Sequence, residues 1–145
     1  MQLATVVDSM VKEHSELHER LGEWETMLDR LTGGTFFQSR AALEQLWRLV
    51  PYFEEELPRH FSREESDLYP PLKEEHPGAT QVLKRFSQEH GELLRLWKNY
   101  RGELLYSDAI GETHRLRELG SELIAGLRQH MQDEELELVG LARQK

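Results

Sequence analysis

The chain has 145 residues, a formal net charge of -9 and no cysteine, with a mean hydropathy of -0.67. The length is enough for one domain with a real core. The composition excludes disulfides, thiolate ligands and cysteine nucleophiles, and the lack of a Lys/Arg cluster gives no expectation of a nucleic-acid partner.

No apolar run approaches the ~20 residues that span a bilayer, so no membrane association is expected. Residues 1–8 contain neither a basic region nor a cleavage site, which points to the cytoplasm.

In the first segment, residues 3–31, the apolar stripe Leu3, Val7, Met10, Leu17, Leu21, Trp24, Leu28, Leu31 advances by steps of three and four. That is the seam of a packed helix, and His14 stands in it where an apolar residue would. Thr32-Gly33-Gly34-Thr35 is the expected stop. A second helix is expected from Ser39 as N-cap, with the stripe Leu43, Leu46, Val50, Phe53, Leu57, His60, Glu64, Leu68. Pro51 and Pro58 fall inside it and predict a kink or break, with the His60 motif on its own short helix from Pro58. Tyr69-Pro70-Pro71 is the expected end.

Pro77 is placed to open the third helix. Its stripe is Ala79, Leu83, Phe86, His90, Leu93, Trp97, Tyr100, Leu104, with a turn expected at Ser107-Asp108. The fourth runs to near Leu141 on Leu116, Gly120, Leu123, Leu127, His130, Glu134, Leu138, Leu141. Its four glycines, including Gly111, lower its intrinsic helicity. Four helices with short connections predict an all-α, antiparallel up-down four-helix bundle. With no linker, low-complexity tract or repeat of fixed period, residues 1–145 are expected to form a single domain.

Each helix therefore carries one seam histidine: His14, His60, His90 and His130. Glu64 and Glu134 follow two of them at i+4, on the same helix face. By the helical rise, the histidines lie roughly 24–33 Å from the shared end of the bundle, so a common layer is feasible.

A single His-x-x-x-Glu is weak evidence, because 27 of 145 residues are acidic and about one histidine in five has such a partner by chance. His114 and Glu118 have the spacing but lie off the seam, and are expected to face solvent. A lone seam histidine is usually a satisfied core residue; four of them with two seam carboxylates are costly without a cation. Four imidazoles and two carboxylates read as a metal site for two ions. Ligation by N and O alone suits iron or manganese, and zinc less specifically. His18, one turn after His14 but beside the seam, is a possible additional ligand. Glu65 is expected in solvent or behind the ligands. No seam residue is expected to donate a hydrogen bond to a bound small molecule.

The succession Glu13-His14, His60-Phe-x-x-Glu64-Glu65-x-x-Leu68-Tyr69-Pro70, Glu89-His90, His130-Met-x-x-Glu134-Glu135 resembles the hemerythrin-like HHE cation-binding domain over nearly the whole chain. The resemblance implies a non-haem di-iron centre bridged by oxo and carboxylate groups, in which His14, His60, His90 and His130 are terminal ligands and Glu64 and Glu134 bridge. Oxygen carriers of the family have a further histidine where this chain has Leu94, and an aspartate five residues after the fourth-helix histidine; here Glu134 lies four after. The pattern is that of the looser bacterial class. It implies a protein that binds or senses O2, NO or peroxide. The alternatives are an enzyme that turns over peroxide or NO, and an iron-binding sensor module acting through a partner.

Overall fold

The computed structural model describes residues 3–31, 36–110 and 112–144. Four long helices make the expected antiparallel bundle: α1 (Leu3–Asp29), α2 (Phe36–Arg63), α4 (Thr80–Ile110) and α5 (His114–Glu134). Between α2 and α4 lie a π-helical turn (Glu64–Leu68), α3 (Tyr69–Glu75) and a 3-10 turn (Pro77–Ala79). After α5 come a second π-helical turn (Glu135–Val139) and α6 (Gly140–Arg143). In cross-section α1 packs beside α2 and α5, and α4 beside α2 and α5.

Several boundaries differ from expectation. The helix α2 is continuous through Pro51 and Pro58. Both prolines sit on the exposed face, where water can satisfy the freed carbonyls. The buried run Leu46, Phe53, Leu57, His60 offsets a cost of about 3 kcal/mol for each proline. Ser39 is not the cap: α2 begins at Phe36, and the Ser39 hydroxyl donates to the Leu31 carbonyl at 3.5 Å.

Pro70 and Pro71 do not end a segment but open α3 from its first turn, where a missing N–H costs nothing. His76 ends α3 by leaving the helical region (φ -131°, ψ 78°), which the following Pro77 disfavours. The turn expected at Ser107-Asp108 is helix, since α4 runs on to Ile110. The stop expected at 32–35, and Gly111, lie outside the described residues.

The two helix pairs repeat each other in register. With His14 set on His90 and His60 on His130, buried residues match at most seam steps: Met10 with Phe86, Leu17 with Leu93, Trp24 with Tyr100, Leu28 with Leu104, Phe53 with Leu123, Leu57 with Leu127, Phe61 with Met131, Leu68 with Leu138. Half of these pairs are leucine on leucine, and the unequal intervening segments leave no fixed period. Trp24 and Tyr100 meet between the halves, the indole N–H donating to the phenol oxygen at 2.9 Å.

Gly120 lets α5 approach closely here. A Cβ on it would fall 2.5 Å from Leu28 Cδ1 and 3.2 Å from Tyr100 Cε2. The apolar core is split in two. A large cluster runs from Leu17 and Leu93 toward the α1–α2 connection, and a smaller one gathers Leu3, Val7, Met10, Leu68, Leu72, Leu83, Phe86 and Leu138. The seam histidines and glutamates form the layer between them.

Candidate metal centre

The seam register delivers all six residues to one point. His14, His60, Glu64, His90, His130 and Glu134 are at most 3% exposed. Their donor atoms form two overlapping groups: His14, His60, Glu64 and Glu134, and Glu64, His90, His130 and Glu134. Within each group the atoms lie within 4.8 Å of one another. Both groups share both glutamates.

Each i,i+4 pair is close, with His60 Nε2 3.2 Å from Glu64 Oε2 and His130 Nε2 3.1 Å from Glu134 Oε1. The other Glu64 oxygen lies 3.0 Å from His90 Nε2. Even so, His60 Nε2, Glu64 Oε1, His130 Nε2 and Glu134 Oε1 make no aligned hydrogen bond. They are near enough to feel each other's charge, but their lone pairs converge on a common interior. Orphaned buried polar atoms carry a desolvation cost, which a cation at that point removes. The six residues fit bound metal on this ground.

Four carboxylates behind the imidazoles fix them through Nδ1. His60 Nδ1 meets Glu13 at 3.3 Å, His90 Nδ1 meets Glu65 at 2.8 Å, His130 Nδ1 meets Glu89 at 2.7 Å and His14 Nδ1 meets Glu135 at 3.1 Å. A carboxylate only accepts, so each Nδ1 carries the proton and donates it outward, while Nε2 faces the interior. Carboxylates so placed orient a ligating imidazole and raise its basicity. The contacts close a ring: α1 clamps α2, the turn after α2 clamps α4, α4 clamps α5 and the turn after α5 clamps α1.

Glu65 is the second residue of one π-helical turn and Glu135 the first of the other, wide turns that often mark functional positions. Glu65 was expected outside the ligands and is found there. Glu13, Glu89 and Glu135 were not singled out, although each is adjacent in sequence to a seam His or Glu, and that adjacency was the available signal.

Tyr69 was missed as well. It is buried beside the second group, its hydroxyl donates to Glu134 Oε2, and it lies 3.4 Å from His90 Nε2. The expectation concerned seam residues only, and Tyr69 lies off the seam: the π-helical turn carries it, five residues after Glu64, back over the site. The matching residue after Glu134 is Val139. Phe61 stacks on His90 with centroids 4.2 Å apart, and Phe86 meets His130 edge-on at 5.7 Å. These rings keep water from the imidazole faces.

Without a metal, the interior is a network of buried charges. Burial alone would lower the pKa of His14, but hydrogen bonds to Glu134 and Glu64 raise it to about 9. Burial is likewise outweighed at His60 by Glu13 and Glu64, and its pKa is raised to about 10. His130 is raised too, by Glu134 and Glu89 against burial. Burial would raise Glu64, yet His14, His60 and His90 hold it well below the usual carboxylate range. Burial, then the charges of Glu134 and Glu64, push the Tyr69 phenol far up, so it keeps its proton.

His18 stays on the exposed side of α1, outside the converging donors. His114 and Glu118 pair with each other at 2.9 Å in solvent, at 83% and 55% exposure.

A helical bundle whose only buried charged layer is this histidine–glutamate cluster, among the described residues, defines a metal-binding bundle. The chain matches the family model of the hemerythrin HHE cation-binding domain over residues 5–142, and it belongs to that family. No curated protein matches the chain, and no solved structure matches it either. Among the described residues, no helix is long and apolar enough to cross a membrane.

Proposed function

We propose that the chain is a single hemerythrin-like domain that holds two iron ions and, in the cytoplasm, binds or senses O2, NO or peroxide. The observation that supports this most is the overlap of two buried donor groups at Glu64 and Glu134. In this proposal His14 and His60 hold one ion, His90 and His130 hold the other, and the two glutamates span both. Bound iron supplies redox change and open coordination positions for a small ligand. The chain's own residues orient the imidazoles through the carboxylate ring and exclude water with Phe61 and Phe86. They also hold one proton on Tyr69 Oη.

Tyr69 favours a second reading, an enzyme that turns over peroxide or NO. A bound peroxide or NO oxygen gains from a hydrogen-bond donor as its bond is cleaved, and a phenol that keeps its proton beside Glu134 is such a donor. The experiment is to load the protein with ferrous iron under argon, mix it with O2, and purge. Six protein donors leave open positions, so oxidation to a persistent ferric form is expected. Full recovery of the colourless ferrous form over repeated cycles contradicts this and makes the protein an oxygen carrier. Peroxide mixing separates the two readings: rapid consumption that slows at least tenfold in Tyr69→Phe supports turnover, whereas stoichiometric reaction alone supports binding or sensing.

A further inference from the structure

A solvent groove reaches the histidine–glutamate layer in each half of the bundle. The first, about 460 Å3, lies between α1 and α2 and reaches Glu64. The second, about 280 Å3, lies between α4 and α5 and reaches His130. Their rims occupy corresponding positions of the repeat but differ in charge.

The first rim mixes four carboxylates, Glu13, Glu16, Glu56 and Asp67, with Lys12, Arg59 and Arg63. Arg63 pairs with Glu13 across that mouth at 2.5 Å, and Arg59 pairs with Glu56 along α2 on its rim. The second rim has four carboxylates, Glu89, Glu92, Glu122 and Asp133, and no Lys or Arg. Three residues after His60 stands Arg63; three after His130 stands Asp133. Four residues before His60 stands Glu56; four before His130 stands Gly126, where a Cβ would press to 3.1 Å from Leu93 Cδ2. Arg85 approaches Glu89 at 3.5 Å from outside the groove. Gln129 donates to Asp133 at 2.9 Å, and among the described residues no cation pairs with Glu92 or Glu122.

An acidic rim alone is an ordinary solvated surface. This one ends on an imidazole that is 3% exposed and whose Nε2 has no hydrogen-bond partner. Glu89 joins rim to interior through His130 Nδ1. A mouth of one sign raises the local concentration of counter-ions, an effect that fades with salt. At the other mouth, guanidinium groups oppose the same arrival.

We propose that the α4–α5 groove is the port by which a divalent cation reaches the centre, with Glu92, Glu122 and Asp133 capturing it. This rests on the metal-centre reading above. The test mixes the full-length metal-free protein with Co2+ at low ionic strength and follows visible absorbance. Glu92→Gln with Glu122→Gln should slow the second-order uptake several-fold. Asp133→Arg, which copies Arg63 into the second mouth, should slow it more than tenfold. Arg63→Asp should speed it, and Glu16→Gln with Asp67→Asn should leave it unchanged. The differences should shrink in high salt while final stoichiometry stays constant. Wild-type rates in both α4–α5 variants, equal slowing from the two mouths, or a rate independent of Co2+ concentration would each overturn the port alone. A wild-type chain that takes up no Co2+ overturns the metal centre itself.

Discussion

The α1–α2 half and the α4–α5 half put the same donors and the same carboxylate clamps at the same register, and diverge at the rims and above the site. Facing the centre, both halves have His, His and Glu, with a carboxylate clamp for each imidazole. One step away some positions keep their residue, as Leu17 and Leu93 or Leu57 and Leu127 do, and others keep only bulk: Met10 stands opposite Phe86, and Phe61 opposite Met131. At the rims charge diverges, Arg63 against Asp133, and above the site Tyr69 matches only Val139. Donor chemistry fixes the first layer, packing keeps the second apolar and bulky, and the outer differences are free to make the two donor groups unequal.

The largest effect should come from the residues that both halves share. Glu64→Ala or Glu134→Ala should remove most of the metal, because each belongs to both donor groups. His60→Ala or His130→Ala should leave about half, measured by elemental analysis. Half-loss from the glutamate variants and full loss from the histidine variants would break the shared-carboxylate geometry.

Next in size is the coupling of metal to stability. Removing the metal should lower the melting temperature by roughly 10 °C, because ligand binding adds a few kcal/mol to the folded state. The metal-free protein should then respond to pH in a defined direction. His14 and His60 have pKa values raised to about 9 and about 10, so the stability they contribute is fully present below their unfolded value near 6.5. It is lost as pH rises through about 9 to 10. Metal uptake displaces these protons, so metal affinity should rise over the same range. Calorimetry of both forms from pH 7 to 10.5 checks this; a metal-free protein that gains stability on going alkaline contradicts it.

Much of this was legible in the sequence. The unbroken three-and-four steps fixed four helices, and the histidines that interrupt them gave the inner layer. What escaped was set by geometry off the seam. Glu13 and Glu89 precede seam histidines, so a single-helix view puts them at the edge of solvent. Only the neighbouring helix reveals their partners, His60 and His130. Tyr69 and Glu135 depend on the π-helical turns, which no apolar spacing announces. Pro51 and Pro58 misled because local propensity was outweighed by burial along one face of α2.

A smaller effect concerns that ring. Glu13→Gln and Glu89→Gln, one from each half, should each weaken metal binding by about 10–100-fold with unchanged stoichiometry. Competition with a chelator measures this, and unequal losses would show which half binds its ion more tightly. The smallest effect is expected from His114→Ala and Glu118→Ala, whose pairing lies in solvent and should leave metal content and melting temperature as they were.

The central claim, two ions held by two overlapping donor groups, is tested most directly by the metal content of protein produced with iron supplied. About two irons per chain is the predicted result. One zinc per chain, with no iron taken up on reconstitution, would contradict it.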